Sequence, residues 1–113
     1  MSVISNYVKQ FQVKPEFVKN LGDFAAYTYQ MTVSEATEFL NRFHYNVKKD
    51  EYEKARELAF IICDKDGNKP FSVDNENDLK DLSLLPFFDY KAFMTAFNKL
   101  NGFTDDNADK KKE

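Results

Sequence analysis

Hydrophobic residues near the start of the chain are spaced by three and four positions, as on one face of a helix. The residues with this spacing are Val3, Ile4, Tyr7, Val8 and Phe11. Further along the spacing changes to two, since Tyr27, Tyr29 and Met31 alternate with polar residues. This alternation and the aromatic content predict a strand, and Gly22-Asp23 before it favours a turn. The first third of the chain therefore predicts a short helix followed by a strand or a hairpin.

The middle of the chain predicts two helices. Thr32 and Glu35 have the spacing of a capping box, in which each side chain accepts a hydrogen bond from the other residue's backbone amide. We expect a helix over residues 33–46 after this box. Its apolar face is formed by Val33, Ala36, Leu40, Phe43 and Val47, with Phe39 alongside. A second helix is expected over residues 50–63, and its last turn, residues 60–63, is apolar nearly all round and should be buried.

The last third predicts two more helices. The first covers residues 77–84 and ends at Pro86. Its inward-facing residues are Leu79, Leu82 and Leu85. Asp89 is expected to cap the last helix, over residues 90–101, and Gly102 is placed to stop it. The apolar stripe of this helix comprises Phe93, Ala96, Phe97 and Leu100.

These elements predict a mainly α fold, with about four helices in a small bundle and a short β-hairpin or strand near the N-terminus. The length of 113 residues fits one domain. We expect that domain to span residues 1–103 and to be followed by a disordered polar tail at 104–113. The aromatic residues are 12 Phe, 6 Tyr and no Trp, which indicates a bulky core, an exposed adhesive surface, or both.

Charge and composition exclude several classes of function. The chain has 16 basic and 19 acidic residues, and this lack of a basic excess argues against a nucleic-acid partner. No apolar run reaches the roughly 18–20 residues that span a bilayer, so no membrane partner is expected. The first residues lack the pattern of a secretory signal, and the single cysteine cannot form an internal disulfide. We therefore expect a cytoplasmic protein.

One stretch resembles the start of a calcium-binding loop. Asp64, Asp66 and Asn68 supply oxygen ligands at the first, third and fifth positions. However, Lys69 occupies the sixth position, where glycine is required, and Asn75 occupies the twelfth, where a bidentate glutamate is required. The stretch is therefore predicted to be a polar turn, and no metal site is expected.

The only histidine, His44, and the only cysteine, Cys63, are too few for a zinc site. A catalytic Cys–His pair is the alternative in which this chain is an enzyme. Because Cys63 follows an apolar helix end, the sequence favours a buried cysteine that acts as a small hydrophobic residue. No catalytic residue and no cofactor are predicted.

Aromatic residues supply the candidates for contact with another protein. Phe87 and Phe88 are consecutive and cannot lie on one side of a helix, so we expect one in the core and the other at the surface. The alternative is that both pack under the short connection between helices. On an edge strand, Tyr27 and Tyr29 would be placed to pair with a second copy of the chain. The candidate partner-binding residues are Tyr27, Tyr29, Phe87, Phe88, Tyr90 and Phe97.

Residues 50–103 contain an ordered series of pieces. An apolar helix end leads through an Asp-x-Asp-Gly turn to a phenylalanine, in the segment LAFIICDKDGNKPF that ends at Phe71. An acidic stretch and a leucine-rich helix follow, and the last amphipathic helix closes with Leu100-Asn101-Gly102. In this order and spacing the chain resembles the tail assembly chaperones of long-tailed bacteriophages, whereas its N-terminal third matches them loosely.

This resemblance implies a protein that is not an enzyme and uses no cofactor. Such chaperones bind the tape measure protein in the infected cell, keep it soluble and help to recruit the tail tube protein. They often self-associate, so a homo-oligomer is implied, and many are made in two lengths by a ribosomal frameshift. The implied location is the host cell cytoplasm, with the protein absent from the finished virion. The alternative is a small cytoplasmic helical adaptor or regulatory protein that binds a peptide or helix of another protein.

Overall fold

The computed structural model describes residues 3–10 and 14–103. In these ranges the chain forms α1 (Ser5–Gln10), β1 (Glu16–Leu21), β2 (Phe24–Thr28), α2 (Val33–Leu40), α3 (Glu53–Ile61), α4 (Glu76–Ser83) and α5 (Phe87–Leu100). A single π turn, Asn41–Tyr45, continues α2. Helices dominate and a hairpin lies near the N-terminus, as predicted, but there are five α-helices rather than about four. The helix beyond the expected bundle of four is α1, which the spacing of the first hydrophobic residues predicts and which buries no residue. The predicted tail at 104–113 lies outside the described residues.

The hairpin of β1 and β2 turns at Gly22, as predicted. Gly22 has a φ of 65°, a backbone conformation that glycine adopts without steric cost. The strands are antiparallel, with Leu21 opposite Phe24 and Lys19 opposite Ala26, and a bulge lies between Phe17 and Lys19. Ala26 is fully buried, so this face of the hairpin packs on the core.

The second edge of β2 is closed by Cys63, two residues after the end of α3. The backbone N–H of Tyr27 donates to the Cys63 carbonyl, and the Cys63 N–H donates back to Tyr27, both at 2.8 Å. Cys63 and the residues before it, 60–62, are all buried, which confirms the burial predicted for this segment. Because both edges of β2 are occupied around Tyr27, the predicted pairing of this strand with a second copy is not available there.

Two side chains of the hairpin segment satisfy the carbonyls at the end of α3. Thr28 Oγ1 donates to the Ile61 carbonyl at 2.9 Å, and the Tyr29 hydroxyl donates to the Phe60 carbonyl at 2.8 Å. The last carbonyls of a helix have no partner within the helix, so buried ones need such donors. Burial raises the pKa of the Tyr29 hydroxyl, which therefore stays protonated and keeps donating.

The predicted capping box of α2 is confirmed. Glu35 N–H donates to Thr32 Oγ1 at 3.1 Å, and Thr32 N–H donates to Glu35 Oε1 at 2.9 Å. The predicted apolar face is wrong for Val33, which is 87% exposed because it begins the helix at the margin of the core. Phe39 is buried instead, and its ring lies 5.1 Å from that of Phe97 between centroids.

The start of α5 differs from its prediction. The helix begins at Phe87, and Pro86 occupies the cap position with its carbonyl accepting from Asp89 N–H at 2.9 Å. Asp89 is therefore the third helical residue and is not the cap. Its carboxylate is buried and forms an ion pair with Lys19 of β1. Lys19 is the cationic partner of the Asp89 carboxylate. Because Asp89 also lies in the first turn of α5, its negative charge interacts favourably with the helix dipole.

The far end of α5 is tied to the segment after β2. The Asn101 side chain accepts from Met31 N–H at 2.7 Å and donates to the carbonyls of Tyr29 and Phe97 at 3.1 and 2.9 Å. Gly102 follows with a φ of 75°, consistent with the predicted stop. Asn101 thus fixes α5 against the strand segment at one end, while Asp89 does so at the other.

Replacing Thr28 by valine tests the support of the α3 carbonyls. Valine has nearly the same shape but no hydroxyl, so the buried Ile61 carbonyl loses its donor. We expect Thr28→Val to lower the free energy of unfolding by about 1–3 kcal/mol in urea titrations followed by circular dichroism. Thr95→Val, at an exposed position of α5, should change it by less than about 0.5 kcal/mol. Equal effects of the two substitutions would contradict the assigned role.

Candidate interaction surface

The connection between α4 and α5 is a sharp corner built around Pro86. Proline keeps the preceding residue out of the helical conformation and has no N–H for a continuing helix. Pro86 itself is extended, with φ −56° and ψ 142°. Leu84 N–H and Leu85 N–H still donate to carbonyls at the end of α4, at 3.1 and 3.2 Å. One helix therefore ends and the next begins within three residues, which leaves little chain to cover the corner.

Three large hydrophobic residues at this corner face solvent. Leu84 is 75% exposed, Phe87 60% and Phe88 77%. We refer to Leu84, Phe87 and Phe88 as the aromatic corner. The prediction that one phenylalanine enters the core is wrong, and so is the alternative that both pack under the connection. Clusters of exposed hydrophobic residues tend to mark interaction sites, so the aromatic corner is the leading candidate surface.

The rotation of α5 explains why both phenylalanines remain outside. Phe93 and Phe97 are fully buried and Asp89 is held by Lys19, so these residues fix the inward side of the helix. At about 100° per residue, Phe88 lies about 180° from Phe97. Phe87 lies about 100° from Phe88 and faces a different neighbour.

Phe87 borders a groove that we call the corner groove. It lies between the start of α3, the end of α4 and the start of α5, and it has a volume of about 370 Å³. Its apolar lining comes from Ala55, Leu58, Leu82, Leu85, Phe87 and Tyr90. The Phe87 and Tyr90 rings are stacked, with centroids 5.5 Å apart. The groove thus offers a concave apolar site next to the exposed aromatic corner.

The candidate residue Tyr90 holds one wall of the groove. Its hydroxyl donates to Glu57 Oε1 at 2.6 Å, and the Lys54 ammonium lies 5.4 Å from the centre of its ring. Burial, together with the hydrogen bond to Glu57, raises the pKa of the Tyr90 hydroxyl. Burial also raises the pKa of Glu57, although the Tyr90 hydrogen bond opposes that shift. Tyr90 is therefore a fixed wall that a partner would contact by its ring.

The rim of the corner groove carries both signs of charge. Its acidic residues are Asp50, Glu51 and Glu53, and its one basic residue is Lys54. Arg56 binds both Asp50 carboxylate oxygens, at 2.9 and 2.7 Å. The hydrogen bond from Arg56 lowers the pKa of Asp50 to about 2, so this carboxylate is ionised at neutral pH.

Phe88 borders a second surface, the outer face of α5. Ala92 and Ala96 continue from Phe88 at four-residue spacing, and Lys91 and Lys99 flank them. This face is shallow, with a volume of about 440 Å³. A helix of another protein can approach it closely because the two alanines are small.

Other predicted partner residues lie in the core. Phe97 is fully buried and Tyr29 is 5% exposed, so neither side chain is presented to a partner. Both were predicted from aromatic character, which core and contact residues share. Tyr27 is half-buried on the hairpin and packs edge-to-face with Phe17, with centroids 5.4 Å apart. Sequence inspection missed Leu84 as a surface residue and the carboxylates of the rim, since nothing local indicates that they meet.

The candidate chemistry of His44 and Cys63 finds no geometric support. Cys63 is fully buried, and burial raises the pKa of its thiol to about 11. His44 lies exposed on the π turn, where its ring packs edge-on against Tyr45 with centroids 4.8 Å apart. A thiol with this pKa is protonated at neutral pH and is a poor nucleophile.

Asp64 organises the polar turn that the sequence predicts. Its Oδ1 accepts from the N–H groups of Asp66 and Asn68, both at 2.9 Å. These backbone donors, led by Asn68, lower the pKa of Asp64. Gly67 has a φ of 86°. The carboxylate thus serves as a local turn former. Within residues 3–10 and 14–103, no cluster of three or more His, Cys, Asp or Glu side chains is arranged to hold a metal ion.

Thiol labelling checks the state of Cys63. At pH 7 a thiol with a pKa of about 11 is ionised to about one part in ten thousand. We therefore expect Ellman's reagent to label the native protein at least about a hundredfold more slowly than the protein in denaturant. Tyr45→Cys, which adds an exposed thiol, should give one fast and one slow phase. Fast labelling of native Cys63 would restore the catalytic alternative.

Comparisons with known proteins add no further constraint on function. Neither family models, nor characterised proteins, nor solved structures match the chain. No helix of the described ranges is both long enough and apolar enough to cross a membrane. The geometry of the aromatic corner and the sequence resemblance over residues 50–103 therefore carry the functional interpretation.

Proposed function

We propose that this protein is a bacteriophage tail assembly chaperone that binds the tape measure protein through the aromatic corner. In this role it keeps the tape measure protein soluble and helps to recruit the tail tube protein. It acts in the host cell cytoplasm and leaves before the virion is complete. Two observations support the proposal, namely the resemblance over residues 50–103 and the exposure of Leu84, Phe87 and Phe88 within that stretch.

The exposed aromatic corner is the main support for the proposal, because a chaperone for a long helix needs an apolar surface that covers the apolar stripes of that helix. A long helical client presents apolar stripes that aggregate unless another surface covers them. Burying a phenylalanine or leucine side chain contributes roughly 1.5–3 kcal/mol when it is fully removed from water. Because Phe87 and Phe88 are exposed in the free protein, their burial against a client would contribute favourably to the free energy of binding.

The surroundings of the corner suit a helical client. Phe88, Ala92 and Ala96 run along the outer face of α5, and Phe87 opens onto the corner groove. A helix laid across α5 would contact apolar groups on both sides of it, which is a common mode of helix recognition. The formal net charge of −3 and the charged residues around these surfaces favour solubility of the complex.

Co-expression with the tape measure protein of the same genome tests the proposal. We expect the tape measure protein to stay soluble and to co-purify with this chain. Phe88→Ser should weaken the complex about tenfold or more, as removal of a central aromatic residue does in other interfaces. Tyr45→Ser removes an equally exposed aromatic residue from the π turn and should leave binding unchanged.

The melting temperatures of both variants should match that of the parent chain, since both positions are exposed. If the tape measure protein precipitates in the presence of the parent chain, the chaperone proposal is wrong and the adaptor alternative gains. If Phe88→Ser and Tyr45→Ser weaken co-purification equally, the aromatic corner is not the binding surface.

A further inference from the structure

The corner groove has acidic charge that the protein itself neutralises only in part. Of its three rim carboxylates, Asp50 is occupied by Arg56. Glu51 and Glu53 form no salt bridge with any residue of the described ranges, although the charge of Glu53 contributes to raising the pKa of Arg56. These two carboxylates stand above an apolar floor, so the groove combines a hydrophobic base with a negative edge.

Lys54 offsets only part of this charge. Its ammonium group lies over the Tyr90 ring, 5.4 Å from the ring centre, on the α5 side of the groove. Such cation–π contacts hold a lysine in place without consuming a carboxylate. Glu57 is likewise engaged, because it accepts a hydrogen bond from the Tyr90 hydroxyl. The rim carboxylates without a salt bridge are therefore Glu51 and Glu53, at the start of α3.

We infer that the corner groove receives an amphipathic helix of the partner whose apolar stripe is flanked by lysine or arginine. The apolar stripe would lie on the floor formed by Leu82 and Leu85 and against Phe87, and the basic flank would face Glu51 and Glu53. The inference rests on the proposed function in one respect, namely that the aromatic corner binds a helix of the partner. What it adds is that the apolar stripe of this helix is flanked by basic residues.

The size of the groove suits side chains of a docked helix. A volume of about 370 Å³ is at the low end of the range for small-molecule pockets. Leu85 is half-buried and Phe87 mostly exposed, so both still have apolar surface to bury against a partner. The groove lies between α3, α4 and α5, a setting that suits the helix-in-groove mode.

Charge complementarity selects a basic helix over an acidic one in this groove. An acidic helix would place its carboxylates against Glu51 and Glu53, and like charges in contact disfavour binding. The outer face of α5 has the opposite preference, because Lys91 and Lys99 outnumber Glu16 around its apolar residues. An acidic helix on that outer face is therefore the rival arrangement, and it predicts different sensitive residues.

Glu51 and Glu53 also have a role in stability that the test must separate from binding. They stand at the start of α3, where acidic residues stabilise the helix dipole. Glu53 is the first residue of the helix, and Glu51 precedes it. Glu51→Gln is therefore the cleaner substitution, and its melting temperature should be compared with that of the parent chain.

Synthetic helical peptides test the inference without the tape measure protein. Three fluorescein-labelled peptides of about five turns serve as probes. The first has a leucine stripe flanked by lysines, the second has the same stripe flanked by glutamates, and the third has the composition of the first in scrambled order. Binding to the full chain is measured by fluorescence anisotropy at low and high salt.

We expect the lysine-flanked peptide to bind about tenfold or more tightly than the glutamate-flanked and scrambled peptides. Glu51→Gln should weaken it about threefold, and the loss should disappear at high salt. Phe87→Ser should weaken it about tenfold. Asp66→Asn removes the same charge in the polar turn after the opposite end of α3 and should have no effect, and neither should Lys91→Gln.

Several results would overturn the inference. They are equal binding of the three peptides, stronger binding of the glutamate-flanked peptide, equal losses from Glu51→Gln and Asp66→Asn, and binding of no peptide. Binding of the glutamate-flanked peptide that is lost through Lys91→Gln would establish the rival surface. If these results appear while the tape measure protein still co-purifies, only the inference is wrong. If the lysine-flanked peptide binds as expected but the tape measure protein does not co-purify, the proposed function is wrong. The preference of the groove for a basic helix is then still supported.

Discussion

The fold depends on the backbone pairing between Tyr27 and Cys63. Two hydrogen bonds of 2.8 Å join the second strand of the hairpin to the chain just after α3. The pairing forces residues 60–63 into the centre of the domain, where their carbonyls lose water and must find protein donors. Thr28 and Tyr29 supply those donors from the adjacent positions of the same segment. The segment from Tyr27 to Tyr29 thus pairs with Cys63 and also supplies hydrogen-bond donors to the carbonyls at the end of α3.

The position of the interaction surface follows from this arrangement. With the end of α3 fixed on β2, α5 is held against β1 by Asp89 in its first turn and against the segment after β2 by Asn101 at its end. These contacts set the rotation of α5, and that rotation turns Phe87 and Phe88 toward solvent. The exposure of the aromatic corner therefore follows from the contacts that fix the rotation of α5. Moving either phenylalanine inward would require breaking the Lys19–Asp89 pair.

The sequence alone predicted features that depend on neighbouring residues. The capping box of Thr32 and Glu35, the turn at Gly22 and the burial of residues 60–63 all follow from local spacing. It failed where a distant residue decides the outcome, as at Asp89, whose partner lies seventy positions away. The rim of the corner groove was unpredictable for the same reason, since it forms only when α3, α4 and α5 meet.

Site-specific photocrosslinking tests the central claim, that the aromatic corner is the surface that holds the client. A benzoylphenylalanine is placed at position 88, or at position 45 as a control, in cells that also make the tape measure protein of the same genome. We expect an irradiation-dependent adduct with the tape measure protein from position 88 and none from position 45. An adduct from position 45 alone, or from neither position while the two proteins co-purify, would show that the aromatic corner does not hold the client.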